Sequence, residues 1–266
     1  MKIILALVLT YTFAFSKVYY SKVEPYEIRT IASNVSGIVL FTDDNMIGKK
    51  LSEKVFIKID SELDEDELNA VNKKLIYQKN TLLLDEKILK NLKQMLKRKK
   101  ENYTKIKNLK IKSRIEKDKE FYDVVSSENS HLSTQKEINN LKINIADLEL
   151  RKQQLIKNIN DKNISAQNFV LYDIAVKAGQ TVNLSTPLAK VADASKALLT
   201  IYLDEDDLAG LEKKIIFIDG KRTDYKISRI SYIADEKNIS KYKAQIIIKS
   251  PKVFSKLEKI ELQERK

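Results

Sequence analysis

Between Leu63 and Asn163 the apolar residues of this chain fall three and four positions apart, and no Pro or Gly interrupts them. In the first part of the stretch Leu68, Leu75, Leu82, Leu89, Leu96 and Tyr103 recur every seven residues, with Val71, Leu92 and Ile106 three positions on from members of the series. In the second part Ile138, Leu141, Ile145, Leu148, Leu155 and Ile159 keep the same alternation. A repeat of this kind lays one narrow apolar seam along a helix, and a seam so narrow must be covered by a partner helix. The stretch is too long for one ordinary helix, so it predicts two arms folded back on each other as an antiparallel hairpin.

On either side of the hairpin the pattern becomes that of short strands. Ile28 to Asp60 and Ile164 to Asp193 read as one small β-motif written twice. Apolar residues stand three and nine positions after a glycine in both copies: Leu51 and Ile57 after Gly48, Val182 and Leu188 after Gly179. A turn glycine followed by short apolar strands at matching offsets predicts two halves of one β-sandwich. Such a sandwich closes only if the inserted hairpin returns to where it left. The two arms are then of equal length and reverse near residue 112, within Lys110 to Arg114. Each arm is about 45 to 50 residues, roughly 70 Å at 1.5 Å per residue. Ser113 is placed to cap the second helix, with Glu116 at the reciprocal position. The polar stretch Ser126 to Ser133, where the seam has a gap, is the second candidate for the bend. Beyond the sandwich, Ala197 to Leu203, Lys214 to Asp219, Tyr225 to Ala234 and Tyr242 to Ser250 read as further strands.

The N-terminus changes the setting. Ile3 to Phe15 form an apolar run behind Lys2, with Ala14 and Ser16 at the small positions of a cleavage site, which reads as a secretory signal ending at Ser16. The rival reading, an uncleaved anchor, needs about 20 apolar residues. Charged residues make up 32% of the chain, with five Gly and three Pro, a composition suited to an elongated helical protein rather than a compact enzyme. The formal charge is +12. A basic surface suits nucleic acid, anionic lipid or acidic protein partners, and export removes nucleic acid. Most lysines alternate with Glu and Asp, as on solvated coiled-coil flanks.

Catalytic chemistry has few groups to draw on. There is no Cys and one His, which excludes disulfides and thiolate metal sites and leaves no basis for a triad or zinc centre. His131 lies seven residues before Ile138, at a packing or surface position. Asp204 to Asp207 could bind a hard cation through oxygen ligands, but a solvated turn is the favoured reading. Asp43-Asp44-Asn45 carries the same ambiguity and is read as a hairpin turn. Gly48-Lys49-Lys50 lacks the glycine spacing of a nucleotide loop. No cofactor or metal site and no enzymatic activity are therefore expected.

The order of half, rod and half gives meaning to Ile31-Ala32-Ser33, Val35-Ser36-Gly37-Ile38-Val39 and Val55 to Asp60 before the hairpin. It does the same for Gly179-Gln180-Thr181-Val182, Pro187-Leu188 and Val191-Ala192-Asp193 after it. In these residues the chain resembles the HlyD-like periplasmic adaptors, or membrane fusion proteins, over nearly the whole mature chain. The resemblance implies an elongated α+β fold. A long antiparallel α-helical coiled-coil hairpin is inserted between two halves of a lipoyl-like β-sandwich, and a small β-barrel follows. In residue terms this places a signal peptide at 1–16, an N-terminal strand and first lipoyl half at 17–61, the hairpin at 62–163, the second lipoyl half at 164–195, and the barrel with a short C-terminal tail at 196–266. Leu203 to Leu208 resembles the acidic turn into the barrel.

Some positions depart from the family. Gln167-Asn168-Phe169 stand where the second half commonly has Gly and Pro. The tail after Pro251 is short and charged, which implies a reduced or missing membrane-proximal domain. The family's tip pattern is an Arg, a Leu four positions on, and a Ser seven beyond that. Here Lys105, Leu109 and Ser113 take those places with the second gap shortened, and Arg114 lies alongside. The resemblance carries the docking role for the outer-membrane channel to these four residues. It also implies the partners: an inner-membrane transporter, ABC-type rather than proton-driven, a TolC-like channel, and further copies of the chain in a hexamer. The implied function is efflux or secretion, from a position in the periplasm peripheral to the inner membrane. Carrier domains modify a lysine in the turn between their halves, and here the hairpin occupies that place. The alternative is a periplasmic structural or tethering coiled coil with no transport role.

Overall fold

The computed structural model describes residues 17–234, 238 and 241–264. The signal-peptide reading of residues 1–16 lies outside the described residues. Four strands, β1 (Lys17–Lys22), β2 (Glu24–Ala32), β3 (Gly37–Thr42) and β4 (Ile57–Ile59), precede the first long helix, α1 (Glu62–Ile106). The second, α2 (Arg114–Lys162), leads into β5 (Asn163–Ile164), β6 (Val170–Ile174), β7 (Thr181–Val182) and β8 (Pro187–Leu203). A single helical turn, α3 (Glu205–Leu208), is followed by β9 (Lys214–Ile218), β10 (Lys221–Arg222), β11 (Ile227–Ala234), β12 (Tyr242–Lys249) and β13 (Leu257–Glu264).

The hairpin leaves and re-enters the sandwich through neighbouring strands. β4 and β5 pair antiparallel, with Ile57 opposite Ile164 and Lys58 opposite Asn163. One core takes side chains from both sides of the insertion: Val39, Phe56, Ile57 and Ile59 from the first half, Leu171, Val182 and Leu188 from the second. The two halves also repeat a turn. Lys49 N–H donates to the Met46 carbonyl at 2.9 Å and Gln180 N–H to the Lys177 carbonyl at 3.1 Å. Gly48 and Gly179 sit at φ +80° and +86°, a region that disfavours residues with a Cβ. Each glycine N–H reaches into the other half, Gly48 to the carbonyl of Leu171 and Gly179 to that of Val39, both at 2.8 Å. The repeat read in the sequence is thus a pair of turns that clasp each other's strands. Asn168, where the family commonly has Gly and Pro nearby, adopts φ +68° itself, a conformation Asn tolerates better than most residues.

Each arm of the hairpin is one unbroken helix. The polar stretch Ser126 to Ser133 is helical throughout and is not the bend. Val71, Leu75 and Leu155 are buried together near the base, with Leu68, Ile145 and Leu148 against them. Farther out the seam admits polar groups, and the carboxamide oxygen of Gln78 and the hydroxyl of Ser127 are buried with no hydrogen-bond partner. Ion pairs flank the seam. Arg151 forks onto Glu67 at 2.7 and 2.6 Å, Lys79 meets Glu149 at 2.6 Å and Lys100 meets Glu128 at 2.9 Å. Pairs this exposed add little stability.

The small barrel consists of two sheets around Leu199, Ile201, Leu203, Ala244, Ile246 and Ile260. Their strand orders are β1-β13-β9-β10 and β11-β12-β8-β2. β8 is 17 residues long and runs unbroken from the sandwich into this core, with β2 paired along it from Ala32 opposite Pro187 to Glu24 opposite Leu198. The two β modules are therefore joined by shared strands rather than by a linker.

Three expectations are corrected here. The tail after Pro251 is not merely a charged end: Leu257–Glu264 form β13, which pairs with β1 on one side and β9 on the other, because Ile260 and Leu262 have a core to fill. The acidic run at 204–207 is not a free solvated turn. Lys17 Nζ donates to Asp204 and Asp207 at 2.7 Å each, and the Tyr19 hydroxyl also donates to Asp207. Burial works against the Asp207 charge, but Lys17 and Tyr19 outweigh it and hold the carboxyl below its ordinary range. Asp43 to Asn45 form part of a short 3-10 turn rather than a simple hairpin turn, and Asp43 pairs with Lys54 at 3.3 Å.

Candidate functional site at the hairpin tip

The first helix ends at Ile106. It closes with Lys107 N–H on the Tyr103 carbonyl and Leu109 N–H on the Ile106 carbonyl, at 2.9 and 3.0 Å. Rings of Tyr103 and Phe121, 5.8 Å apart, close the last layer between the arms. The second helix starts on a capping box. Ser113 Oγ accepts from Glu116 N–H at 3.3 Å while Ser113 N–H donates to Glu116 Oε2 at 2.9 Å. Lys112 Nζ adds a donor to Glu116 Oε1 at 2.8 Å. Lys112, then the Ser113 backbone and hydroxyl, pull the Glu116 carboxyl down to about 2 from an ordinary value of 4.5. Both groups that shape the turn are therefore fixed by reciprocal bonds, and the turn presents a defined surface.

Of the four residues carried over from the family, Lys105 lies in the last turn of α1, where its charge complements the helix C-terminus. Leu109 stands in the turn and is 42% exposed. The Ser113 hydroxyl is committed to the cap. The Arg114 side chain is 95% exposed and only loosely near Asp118, at 3.9 Å. All four fall within the turn and the helix ends beside it. Two isoleucines in and beside the turn are more exposed than Leu109: Ile111 at 88% and Ile115 at 81%. Ile111 falls in the Lys110 to Arg114 stretch, but Ile115 lies beyond it and was missed. Its signal in the sequence is an isoleucine off the seam, where the hairpin itself gives it nothing to pack on.

Among the described residues no group of His, Cys, Asp and Glu could hold a metal ion, and no helix is long and apolar enough to cross a membrane. Phe169 receives the Arg29 guanidinium on its ring at 5.1 Å, which packs the start of the second half against β2.

No protein-family model and no curated protein sequence matches this chain. Solved structures do. MacA from Actinobacillus actinomycetemcomitans is similar with a TM-score of 0.72 at 17% identity, over 94% of this chain and 79% of that one. The membrane fusion protein Spr0693 from Streptococcus pneumoniae R6 gives 0.59 at 13% identity, over 94% of this chain and 100% of that one. A MacA-MexA chimera carrying the Pseudomonas aeruginosa MexA α-hairpin domain gives 0.57 at 14% identity, over 94% and 82%. At these identities the likeness is one of fold, and it runs through sandwich, hairpin and barrel together. The chain has the fold of the HlyD-like membrane fusion proteins.

Proposed function

We propose that this protein is a periplasmic adaptor of an efflux or secretion system. Its β modules sit at an inner-membrane transporter, ABC-type rather than proton-driven, and its hairpin reaches a TolC-like outer-membrane channel. One observation carries the reading: Leu109, Ile111 and Ile115 are exposed at the far end of helices of 45 and 49 residues. That is a rod of roughly 70 Å at 1.5 Å per residue. Apolar side chains clustered in water mark a surface that another molecule covers. Lys105, Leu109 and Arg114 contact the channel, and Ser113 holds the turn that presents them. Six copies side by side form the conduit wall. The shared strands β2 and β8 keep the barrel from swinging independently of the rod, so a grip on the transporter fixes the direction of the tip. The fold of Spr0693, a membrane fusion protein, supports this reading, and a conduit wall has no need of a catalytic centre.

A photo-crosslinker at position 109 in whole cells tests it. The expected result is an adduct with an outer-membrane channel, and loss of export on Leu109→Asp with the protein still folded. An adduct to another envelope component, with export unchanged, would favour the tethering coiled coil. Export that stops on ATP depletion but survives a protonophore identifies the ABC-type partner.

A further inference from the structure

The charge of the chain is concentrated. Residues 87–119 carry 14 Lys and Arg against three Asp and Glu, while the whole chain has 49 against 37. Two of those three acids are engaged inside the tip, Glu116 by Lys112 and Asp118 by Arg114. The facing part of α2 does not cancel the excess. With both arms counted, residues 87–139 hold 15 basic and seven acidic side chains. Glu128 of α2 is taken by Lys100, and Lys99 donates to a backbone carbonyl, that of Asp123.

The excess also has a direction. Lys90, Lys93, Lys97 and Lys100 are spaced three, four and three apart, which places them on one face of α1. Among the described residues the first three make no ion pair, and each is exposed or nearly so. A groove of 760 Å³ runs along this face, lined by Lys93, Leu96, Lys97, Lys100 and Lys105, with Glu101 its one acid. A second groove, of 420 Å³, continues it toward the base between Leu89, Lys90 and Lys93 of α1 and His131 and Gln135 of α2, with Glu86 at its edge. The floor is Leu96, Leu89 and the aliphatic stems of the lysines, and the ammonium groups form the rim.

We propose that this basic face of the distal rod is a docking groove for an acidic amphipathic helix of a protein partner, lying alongside the hairpin rather than only end-on to it. The proposal rests on the adaptor reading in taking that partner to be the one the tip meets. Geometry favours a protein over a membrane. Lys87 to Lys105 covers about 27 Å of helix, roughly three Debye lengths at physiological salt. A flat anionic surface touched by the tip would feel only the last turns, and the lysines farther back would stay in bulk solvent. An acidic polysaccharide could follow the shaft, but it has nothing apolar to place on the Leu89 and Leu96 floor. An acidic helix supplies both a carboxylate row and an apolar stripe.

The test uses the purified full chain and a synthetic Glu-rich amphipathic helical peptide with a Leu stripe, followed by fluorescence anisotropy. Binding should weaken steeply with added salt and fall roughly tenfold or more in the Lys90→Glu, Lys93→Glu, Lys97→Glu triple variant. Helicity and melting should be unchanged, because none of the three makes an ion pair. Lys252→Glu, at an exposed lysine of the barrel, should bind the peptide as the parent does, and a Lys-rich version of the peptide should recover binding to the triple variant. Binding indifferent to the three lysines would overturn the proposal. So would equal binding to vesicles of phosphatidylglycerol and phosphatidylethanolamine, or self-association of the chain that the triple variant abolishes. The two readings fail separately. No peptide binding with an intact position-109 adduct sinks this one alone, whereas lysine-dependent binding without that adduct sinks the adaptor reading and leaves the acidic partner to be sought elsewhere.

Discussion

Ile57 and Ile164 face each other across β4 and β5, although the whole hairpin lies between them in sequence. Both are buried in the sandwich core. The pair makes the base of the rod and the sandwich one cooperative unit, since neither half can fill that core alone. Ile57→Ala should therefore cost about 2–5 kcal/mol. Amide exchange would show lost protection in β5 and at the base of both helices, as well as in β4. Protection lost only around residue 57 would contradict the coupling.

The glycines of the sandwich separate into two kinds. A Cβ on Gly37 would lie 2.7 Å from the Cγ2 of Ile59, a fully buried side chain with no room to yield. Gly37→Ala should destabilise by about 1–3 kcal/mol through overpacking. Gly48 and Gly179 have open space around them and are needed for their positive φ alone. Gly48→Ala and Gly179→Ala should each cost about 1–2 kcal/mol from the left-handed backbone, and the two values should agree if the turns are equivalent. Urea midpoints of the three variants decide this.

Ser127 is 3% exposed in the seam and its hydroxyl has no hydrogen-bond partner. Replacing it by alanine removes an unmatched polar group and adds a better helix former. Ser127→Ala should raise stability by about 1 kcal/mol, read as a higher denaturant midpoint, whereas Leu155→Ala in the same hairpin should lower it by about 2–5 kcal/mol.

Strong acid should loosen the tip. Glu116 has a folded pKa of about 2 against an ordinary 4.5. A carboxyl held lower in the folded state supports the fold fully above its unfolded pKa, and that support fades as pH falls through the folded value. NMR shifts of the Ser113 and Glu116 amides in the folded chain should therefore titrate with a midpoint near pH 2 rather than near the ordinary 4.5. In Glu116→Gln this step should vanish. A midpoint near pH 4.5 in the parent chain would show that the capping box is absent in solution.

The period-seven seam and the glycine offsets were legible before any coordinates because each reports a local rule. A helix seam repeats with the turn of the helix, and a left-handed turn selects glycine at its own position. The Ser113 and Glu116 box was legible for the same reason, being a contact between residues three apart. Lys17 with Asp204 and Asp207 was not, since the partners lie 187 and 190 residues apart in sequence. Nor was β13: its charged composition reads as a tail until β1 and β9 are present to pair with it.

The sequence by itself determined the hairpin, its reversal near residue 112 and the doubled turn, all of which depend on spacing along one segment. Only the tertiary structure decided that β2 and β8 bind sandwich to barrel, that β1 and β13 pair in one sheet, and that Ile111 and Ile115 stand free at the tip. Pairing between distant segments, and exposure, depend on what the rest of the chain brings alongside, and no local pattern records that.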